Sequence, residues 1–120
     1  MDLVEVLKIL GDENRIRILN ILKEDAICVY EIESILGLNQ SNVSRHLTRL
    51  TSCKLIKSYK KAQYVYYRIN EEILEKHKFI RNILDEEVLN IDKCIKDTET
   101  LLEYKNKNLT CEDFANNAVK

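Results

Sequence analysis

Proline is absent from this sequence of 120 residues, and its only two glycines are Gly11 and Gly37. An all-β sandwich needs many turn-forming residues, so this composition argues against one and favours helices. The chain also lacks an apolar run approaching the roughly 20 residues that span a bilayer. Acidic residues stand near the N-terminus, where a signal peptide has basic ones. We therefore expect one mainly helical domain that stays in the cytoplasm and contacts no membrane.

Acidic residues are missing from one continuous part of the chain. Residues 34–70 contain no Asp or Glu but seven Lys and Arg. The segments on either side each carry four more acidic than basic residues, so the formal net charge is only −1. Positive charge gathered in one block of a nearly neutral protein is typical of a surface that binds a polyanion. Nucleic acid is the natural polyanion for a small domain.

Motifs of zinc binding and catalysis are missing as well. The four cysteines, Cys28, Cys53, Cys94 and Cys111, are widely spaced and form no C-x-x-C pair, which argues against a structural zinc site. In the cytoplasm we expect reduced thiols, either buried or sensing, rather than a disulfide framework. We find no phosphate-binding glycine loop, no H-E-x-x-H and no nucleophile elbow. The sequence therefore does not indicate an enzyme.

Two helices are predicted at the start of the chain. Apolar residues dominate positions 3–10, and Gly11 follows in the position that ends a helix. Asp12 has the side chain of an N-cap, and an acidic residue follows it in the first turn of the second helix. After this helix we expect a brief extended link at residues 26–29.

A helix-turn-helix arrangement is predicted next. A short helix at about residues 30–36 ends at Gly37, and either Asn39 or Ser41 caps a fourth helix that runs to about Cys53. The apolar residues of this fourth helix fall on one face, and its other face is polar and basic. Two helices around a glycine-containing turn, the second polar and exposed at its start, form a helix-turn-helix.

A basic hairpin follows the fourth helix. Residues 56–60 and 64–69 are rich in β-branched and aromatic side chains and are joined by the short link 61–63. A basic hairpin directly after a recognition helix is a wing. The link contains no glycine, so the type of turn is not specified by the sequence.

The last part of the chain returns to a helical period. From Glu71 an apolar stripe continues for about thirty residues, with a break predicted near 85–87. A three-helix head has no need of so long a helix, so its stripe and the apolar first helix are predicted to form a two-fold homodimer interface. The predicted fold is mainly α with a small β-hairpin: a winged helix-turn-helix that dimerises through its N-terminal and long C-terminal helices. Residues 1–105 form this domain, and residues 106–120 form a flexible tail.

Three segments of the sequence resemble the signature segments of ArsR/SmtB winged-helix repressors, in the same order and spacing. They are ILGDENRIRIL at 9–19, LNQSNVSRHL at 38–47 and YVYYRI at 64–69. The resemblance is strong over residues 3–70 and looser in the C-terminal helix. It implies a dimeric winged helix-turn-helix whose repression is relieved by an inducer, often a metal or metalloid ion.

The DNA contacts are predicted from the position of the recognition helix and the wing. Short polar side chains at the start of such a helix reach base edges in the major groove, and basic ones reach phosphates. Base and nearby backbone contacts are predicted for Gln40, Ser41, Asn42, Ser44 and His46, and phosphate contacts for Arg45, Arg49, Lys57, Lys60 and Lys61. Arg15 and Arg17 are open to a structural role instead.

The resemblance also suggests where an inducer binds. Many arsenic- or cadmium-responsive members carry Cys-Val-Cys before the recognition helix, whereas this chain has Cys28-Val29-Tyr30 and retains one of the two thiols. Because thiophilic ions prefer several thiolates, the predicted ligands of arsenite, antimonite or cadmium are Cys28, Cys111 and Cys94. Cys53 is predicted to fill the core. The alternative is that all four are inert packed thiols.

A second family sensor site, on the C-terminal helices, uses Asp and His ligands for zinc or similar ions. Its positions fall here near Glu71, Ile73, Leu84 and Glu87. Two of these four residues are aliphatic, so we expect that such a site has been lost.

The sequence therefore predicts a homodimeric repressor of double-stranded operator DNA that needs no obligatory cofactor and is released by a thiophilic ion. Two alternatives stay open. In the first, Cys28 and another thiol respond to an oxidant instead of an ion. In the second, the winged helix binds protein rather than DNA.

Overall fold

A computed structural model describes residues 1–117 of the chain. Within them a helical head is followed by a small sheet and then by further helices. The helices are α1 (Leu3–Leu10), α2 (Glu13–Leu22), α3 (Val29–Leu36), α4 (Gln40–Ser52), α5 (Glu71–Lys76), α6 (Lys78–Asp85), α7 (Asp92–Asn106) and α8 (Cys111–Asn117). The strands are β1 (Ile27–Cys28), β2 (Ile56–Lys61) and β3 (Tyr64–Ile69), and a 3₁₀ turn spans Glu87–Asn90.

Helices α1 and α4 have the bounds that the sequence indicated, whereas α3 begins at Val29, which was predicted to be in the extended link. The carboxylate of Asp12 accepts hydrogen bonds from the first backbone N–H groups of α2, and the side chain of Asn39 caps α4. Gly11 follows α1 directly. Gly37 ends α3 with a φ of 64°, a left-handed conformation that glycine adopts without steric cost. The predicted helix-turn-helix is confirmed.

The wing, the hairpin of β2 and β3, belongs to a three-stranded antiparallel sheet in the order β1-β3-β2. Strand β2 pairs with β3 from Ile56 opposite Ile69 to Lys61 opposite Tyr64, which confirms the predicted hairpin. The turn at its tip places Ala62 at a φ of 58°. The extended link before α3 is β1, whose Cys28 pairs with Tyr66 of β3. The sheet therefore joins the wing to the start of the helix-turn-helix.

The C-terminal half differs from the one long helix that the sequence suggested. The predicted break near 85–87 is present, and a further break occurs at His77, whose φ of −121° and ψ of 78° are not helical. The extended backbone at Ile91 then redirects the chain into α7. Helix α7 packs against α2 of its own chain and buries Asp97 and Leu101. Of the stripe assigned to a partner, Ile80, Leu84 and Val88 are buried within the chain, whereas Ile95 and Leu102 stay exposed.

The segment after residue 105 contains a further helix. Cys111 and Phe114 of α8 are buried, the helix packs against α3, and the ring of Phe114 lies 4.9 Å from that of Tyr104. The division of the chain into residues 1–105 and a flexible tail stays a prediction. Residues 118–120, which were predicted to belong to that tail, lie outside the described residues.

Candidate nucleic-acid interface and thiol pair

Helix α4 separates its apolar and polar residues cleanly. Val43, Leu47 and Leu50 are buried in the core and hold the helix on the head. The opposite side is open to solvent. Of the predicted contact residues on α4, Gln40, Ser41, Ser44, Arg45 and Arg49 are exposed and Asn42 is partly so. Helix α4 thus presents short polar side chains at its start and arginines further along.

The wing continues this surface with lysines. Lys57, Lys60 and Lys61 of β2 are all exposed, and the rings of Tyr59 and Tyr66 stack 5.6 Å apart across β2 and β3. Cross-strand aromatic pairs of this kind stabilise a hairpin. The structure therefore places all three predicted wing lysines at solvent-accessible positions on the same segment as the recognition helix, with no carboxylate between residues 34 and 70.

His46 is the one predicted contact residue on α4 that points inward. Its side chain is only 6% exposed, and its Nε2 lies 4.0 Å from Oδ1 of Asp12. The helical period explains this burial: His46 lies three residues after the buried Val43 and one before the buried Leu47, on the side of α4 that faces the N-terminus of α2. In this structure His46 is not available to a base edge.

His46 lines a cavity between α2 and α4. The cavity has a volume of about 340 Å³, and its walls are Asp12, Arg15, Arg45, His46 and Arg49. Burial lowers the pKa of His46 below its ordinary 6.5; Asp12 acts to raise it, while Arg45 and Arg15 lower it further. Burial and the neighbouring guanidinium groups therefore favour the neutral form of the imidazole.

Arg17 lies on the other side of α2 and is fully engaged. Its Nε and Nη2 donate to the two carboxylate oxygens of Asp97 on α7, at 2.7 and 2.9 Å. Nη2 also donates to the carbonyl of Leu36 at 3.0 Å, and Nη1 to Oδ1 of Asn14 at 3.3 Å. This bidentate pair raises the pKa of Arg17 and ties α2 to α7. The structural role left open for Arg17 is the one it has here.

Two of the predicted thiol ligands are brought together. Cys28 and Cys111 form a disulfide, with Cα atoms 6.2 Å apart across 83 residues of sequence, a separation typical of disulfides. Both residues are buried. The expectation that all four cysteines are free thiols is therefore wrong for this pair, because the packing of α8 on α3 brings Cys111 onto Cys28.

Cys94 stands apart from this pair. It lies on α7 in a small cavity with Asn20, Lys23 and Val88, and burial raises its pKa to about 11. A thiol with so high a pKa is not a thiolate at neutral pH and is a weak ligand. Cys53 is partly buried, and its thiol bonds to the carbonyl of Leu50. Residues 1–117 contain no group of three or more His, Cys, Asp or Glu placed to hold a metal ion.

Helix α8 lies close to the start of the recognition helix. A groove of about 720 Å³ runs between them, with Tyr30, Gly37 and Gln40 on one side and Phe114 and Ala115 on the other. Its other walls are Glu33, Ser34, Leu38, Asn39 and Asn117. The disulfide therefore attaches to α3 a helix that borders the groove beside Gln40.

Among the described residues, no helix is long and apolar enough to cross a membrane.

The fold and this surface define a winged helix-turn-helix regulator. The profile of the bacterial regulatory protein family arsR matches residues 12–58. The chain is 34% identical over 91 residues to the HTH-type transcriptional regulator YbzH of Bacillus subtilis, covering 63% of this chain and 91% of YbzH. The chain belongs to the ArsR family. This membership confirms the prediction of a transcriptional regulator rather than an enzyme.

Other relatives and solved structures agree with this placement. The arsenic resistance transcriptional regulator ArsR1 of Pseudomonas putida is 39% identical over 69 residues, which are 57% of this chain and 54% of ArsR1. The chain thus spans about half the length of that relative. Reduced HlyU from Vibrio cholerae has a TM-score of 0.60 at 32% identity, covering 67% of this chain and 82% of HlyU.

A solved domain of Mb0332 from Mycobacterium bovis gives a similar match. It is titled a homodimeric winged helix-turn-helix DNA-binding domain. Its TM-score is 0.60 at 27% identity, covering 69% of this chain and 78% of that domain.

The sequence indicated the extended link that contains β1 but neither its pairing with β3 nor the cavity beside Arg15. Arg15 and the arginines of α4 are thirty residues apart, and only the packing of α2 across α4 brings them together. The one sequence signal was Asp12, whose capping of α2 fixes where Arg15 points. Strand β1 has two residues, too few for an alternating pattern to be recognised.

Proposed function

We propose that the protein is a transcriptional repressor that binds double-stranded operator DNA and responds to the state of Cys28 and Cys111. The observation that carries the DNA-binding part is the exposed polar face of α4 next to the lysines of the wing, in a segment without acidic residues. Such a helix fits the major groove, and the basic residues beside it neutralise phosphates.

A homodimer is part of this proposal. Helix α1 leaves Leu3, Val4 and Leu7 about half exposed, at 54%, 59% and 49%, an apolar strip that a second copy would cover. The similar domain of Mb0332 is described as homodimeric. A two-fold dimer would place two recognition helices one turn of DNA apart, about 34 Å, on a pseudo-palindromic site.

Oxidation of the thiol pair is the inducing event that the geometry supports best. A peroxide oxidises one thiolate to a sulfenic acid and releases water. The second thiol then attacks that sulfur, forms the disulfide and releases a second water molecule. In a cytoplasmic protein, a disulfide between cysteines 83 residues apart is more typical of redox sensing than of a permanent framework.

The disulfide lies close enough to the DNA-binding surface to affect it. Cys28 is the residue before α3 and pairs with β3 of the wing. Bonding to Cys111 keeps α8, with its exposed Glu112 and Asp113, beside the start of α4. Carboxylates held there would repel the phosphates of an approaching duplex. We therefore expect the oxidised protein to bind operator DNA more weakly than the reduced protein.

A thiophilic ion held between the same two thiols is the second candidate inducer. It is favoured by the similarity to the arsenic regulator ArsR1 and to the cadmium resistance regulatory protein CadC of Listeria innocua. Two thiolates can bind arsenite, antimonite or cadmium, although a third soft ligand would strengthen the site. In this reading the ion would replace the disulfide as the link between α3 and α8.

A binding titration separates these possibilities. DNA selected by the reduced protein from a random duplex library is titrated with wild type, Cys28→Ser, Cys111→Ser and the control Cys53→Ser. Each protein is treated with reductant, peroxide, arsenite or cadmium. We expect peroxide to weaken binding of wild type and the control, and to leave both serine variants of the pair unchanged.

Other results would redirect the proposal. Release by arsenite or cadmium but not by peroxide would establish the ion as inducer. Equal release of Cys28→Ser and wild type would show that the pair is not the sensor. Failure of the reduced protein to bind any duplex at about 0.1 M salt would favour the protein-binding alternative.

A further inference from the structure

The cavity between α2 and α4 has the composition of an anion site. Arg15 enters it from α2, and Arg45 and Arg49 enter it from adjacent turns of α4. The one acidic wall residue is Asp12, and its carboxylate already accepts the backbone N–H groups of Asn14 and Arg15 at 2.8 and 3.3 Å. Three guanidinium groups and one carboxylate give the walls a formal charge of about +2, His46 apart, around a space of about 340 Å³.

Most side-chain hydrogen-bond donors of the arginines in this cavity have no acceptor among the described residues. The Nε of Arg15 is buried and has no hydrogen-bond partner within residues 1–117. Burying an unpartnered polar group is costly, and the cost is greater for a charged one. In the part of the chain that the structure describes, the side chain of Arg45 donates a hydrogen bond to the side chain of Asn42, at 3.2 Å, and to no other group. An anion entering the cavity would supply acceptors for the guanidinium of Arg15 and for the arginines of α4.

We infer that this cavity holds a phosphate of the DNA backbone. The inference rests on the proposed function and extends it to Arg15 of α2 and to the buried His46 of α4. Neither residue lies on the exposed face of α4 that would enter the major groove. Guanidinium groups bind phosphate oxygens in a fixed geometry. A phosphate held between α2 and α4 would set how far the recognition helix enters the major groove, which is the role of phosphate contacts in positioning a DNA-binding protein.

His46 gives the site a distinctive property. The charged groups that face its ring are Asp12 and Arg15 from α2, and Arg45 and Arg49 from α4. A phosphate would add negative charge beside the imidazole and favour its protonated form. Binding of DNA therefore favours uptake of a proton at His46, so affinity for DNA rises as the pH is lowered through the range in which His46 titrates.

The test is the salt dependence of binding to a fluorescent duplex of random sequence, measured by anisotropy with reduced protein between about 0.05 and 0.2 M salt. Removing one phosphate contact lowers the slope of log K against log salt by about 0.9. We expect this loss for Arg15→Gln and not for Arg15→Lys, which keeps the charge. Arg81→Gln, on α6 and paired with Glu71, is the matched control and should keep the wild-type slope.

The duplex titration separates a failure of the phosphate site from a failure of the proposed function. If wild type does not bind the duplex, the proposed function is wrong. If wild type binds and Arg15→Gln has the wild-type slope, only the phosphate site is wrong. Circular dichroism verifies that the variants fold, and Arg49→Gln repeats the test from the other helix should Arg15→Gln unfold.

A second measurement identifies the source of the phosphate. The pKa of His46 is followed by NMR with the protein alone, with the duplex and with millimolar inorganic phosphate. A rise with the duplex in wild type but not in Arg15→Gln supports the backbone phosphate. A rise with inorganic phosphate alone, and none with the duplex, would make the cavity a site for a free anion and overturn the assignment to DNA.

Discussion

Helix α2 carries two arginines, two residues apart, whose surroundings are opposite. Arg17 faces α7, where Asp97, Leu36 and Asn14 accept its hydrogen bonds. Arg15 faces α4, where two more arginines stand and its Nε has no partner within the described chain. Side chains two positions apart in an α-helix point in directions that differ by about 200°. The same residue type is therefore an internal tie on one side and an open site on the other.

Arg15 and Arg17 show that a positive charge indicates a binding surface only when no nearby counter-charge neutralises it. Both arginines lie in the acidic first third of the chain, so local charge counting does not separate them. What separates them is Asp97, eighty residues later, which neutralises only Arg17. This division predicts that substitution of Asp97 lowers stability far more than substitution of Arg15.

Asp97→Asn should have the largest effect on stability. It leaves the buried guanidinium of Arg17 without its counter-charge, and breaking a buried ion pair from one side typically costs about 3–5 kcal/mol. Urea denaturation of the reduced protein would measure the free energy of unfolding. Glu13→Gln, which removes the exposed pair with Lys93, is the control and should change it by less than about 1 kcal/mol.

The same pair can be removed from both sides. Arg17→Met combined with Asp97→Leu leaves no buried charge, and such replacements are often neutral in stability. We expect the double variant to recover most of the loss. A double variant as unstable as Asp97→Asn would mean that the hydrogen bonds of Arg17 to Leu36 and Asn14 matter more than its ion pair.

Reduction of the disulfide should have the next largest effect on stability, because it removes the covalent link between Cys28 and α8, the last helix of the described residues. A cross-link over a long loop typically contributes about 2–4 kcal/mol. Thermal unfolding with and without reductant would show a lower Tm in wild type after reduction. Cys111→Ser should unfold at the same temperature under both conditions. If it also shifted, another thiol would be responsible.

Arg15→Gln should have little effect on folding, in contrast to Asp97→Asn. The Nε of Arg15 has no partner to lose, and substitutions of this kind usually change stability by about 0.5 kcal/mol or less. Urea denaturation gives this value on the same scale as the Asp97 variants. A loss of several kcal/mol would place Arg15 with Arg17 as a structural residue and remove the contrast.

A weak pH dependence should come from His46. Its pKa is lowered in the folded state, so the unfolded chain binds a proton first as the pH falls below about 6.5. As the pH falls from about 6.5 to the lower pKa of the folded state, the free energy of unfolding should therefore decrease. Above about pH 6.5 it should not depend on His46. His46→Gln should remove this component, measured as the difference in pH profiles of unfolding.

Much of the head could be predicted from the sequence, because its signals are local. Asp12, Gly37 and Asn39 specify the helix ends by capping and by backbone freedom. The lysines of the wing were recognised from strand patterning. The contacts that the sequence left open are long-range: Arg17 with Asp97, Cys28 with Cys111, and Arg15 with the arginines of α4. No periodic pattern records which distant residues become neighbours.

The inward turn of His46 shows the limit of a face-by-face reading. A helix of thirteen residues that packs against α2, α3 and β2 buries more than one stripe, so a polar residue at the edge of the apolar stripe faces α2 instead of solvent. The division of the C-terminal half has a similar origin. An uninterrupted helix would carry Asp97 away from Arg17, whereas the breaks at His77 and Ile91 return the chain to α2.

Strand β1 has a consequence for evolution and for engineering. Cys28 belongs at once to the edge of the sheet, to the start of α3 and to a sulfur bond. Any substitution there alters three neighbouring elements together, whereas Cys111 is the first residue of a helix of seven residues that contacts fewer elements. New chemical specificities are therefore more easily introduced by replacing residues 106–117 than by altering position 28.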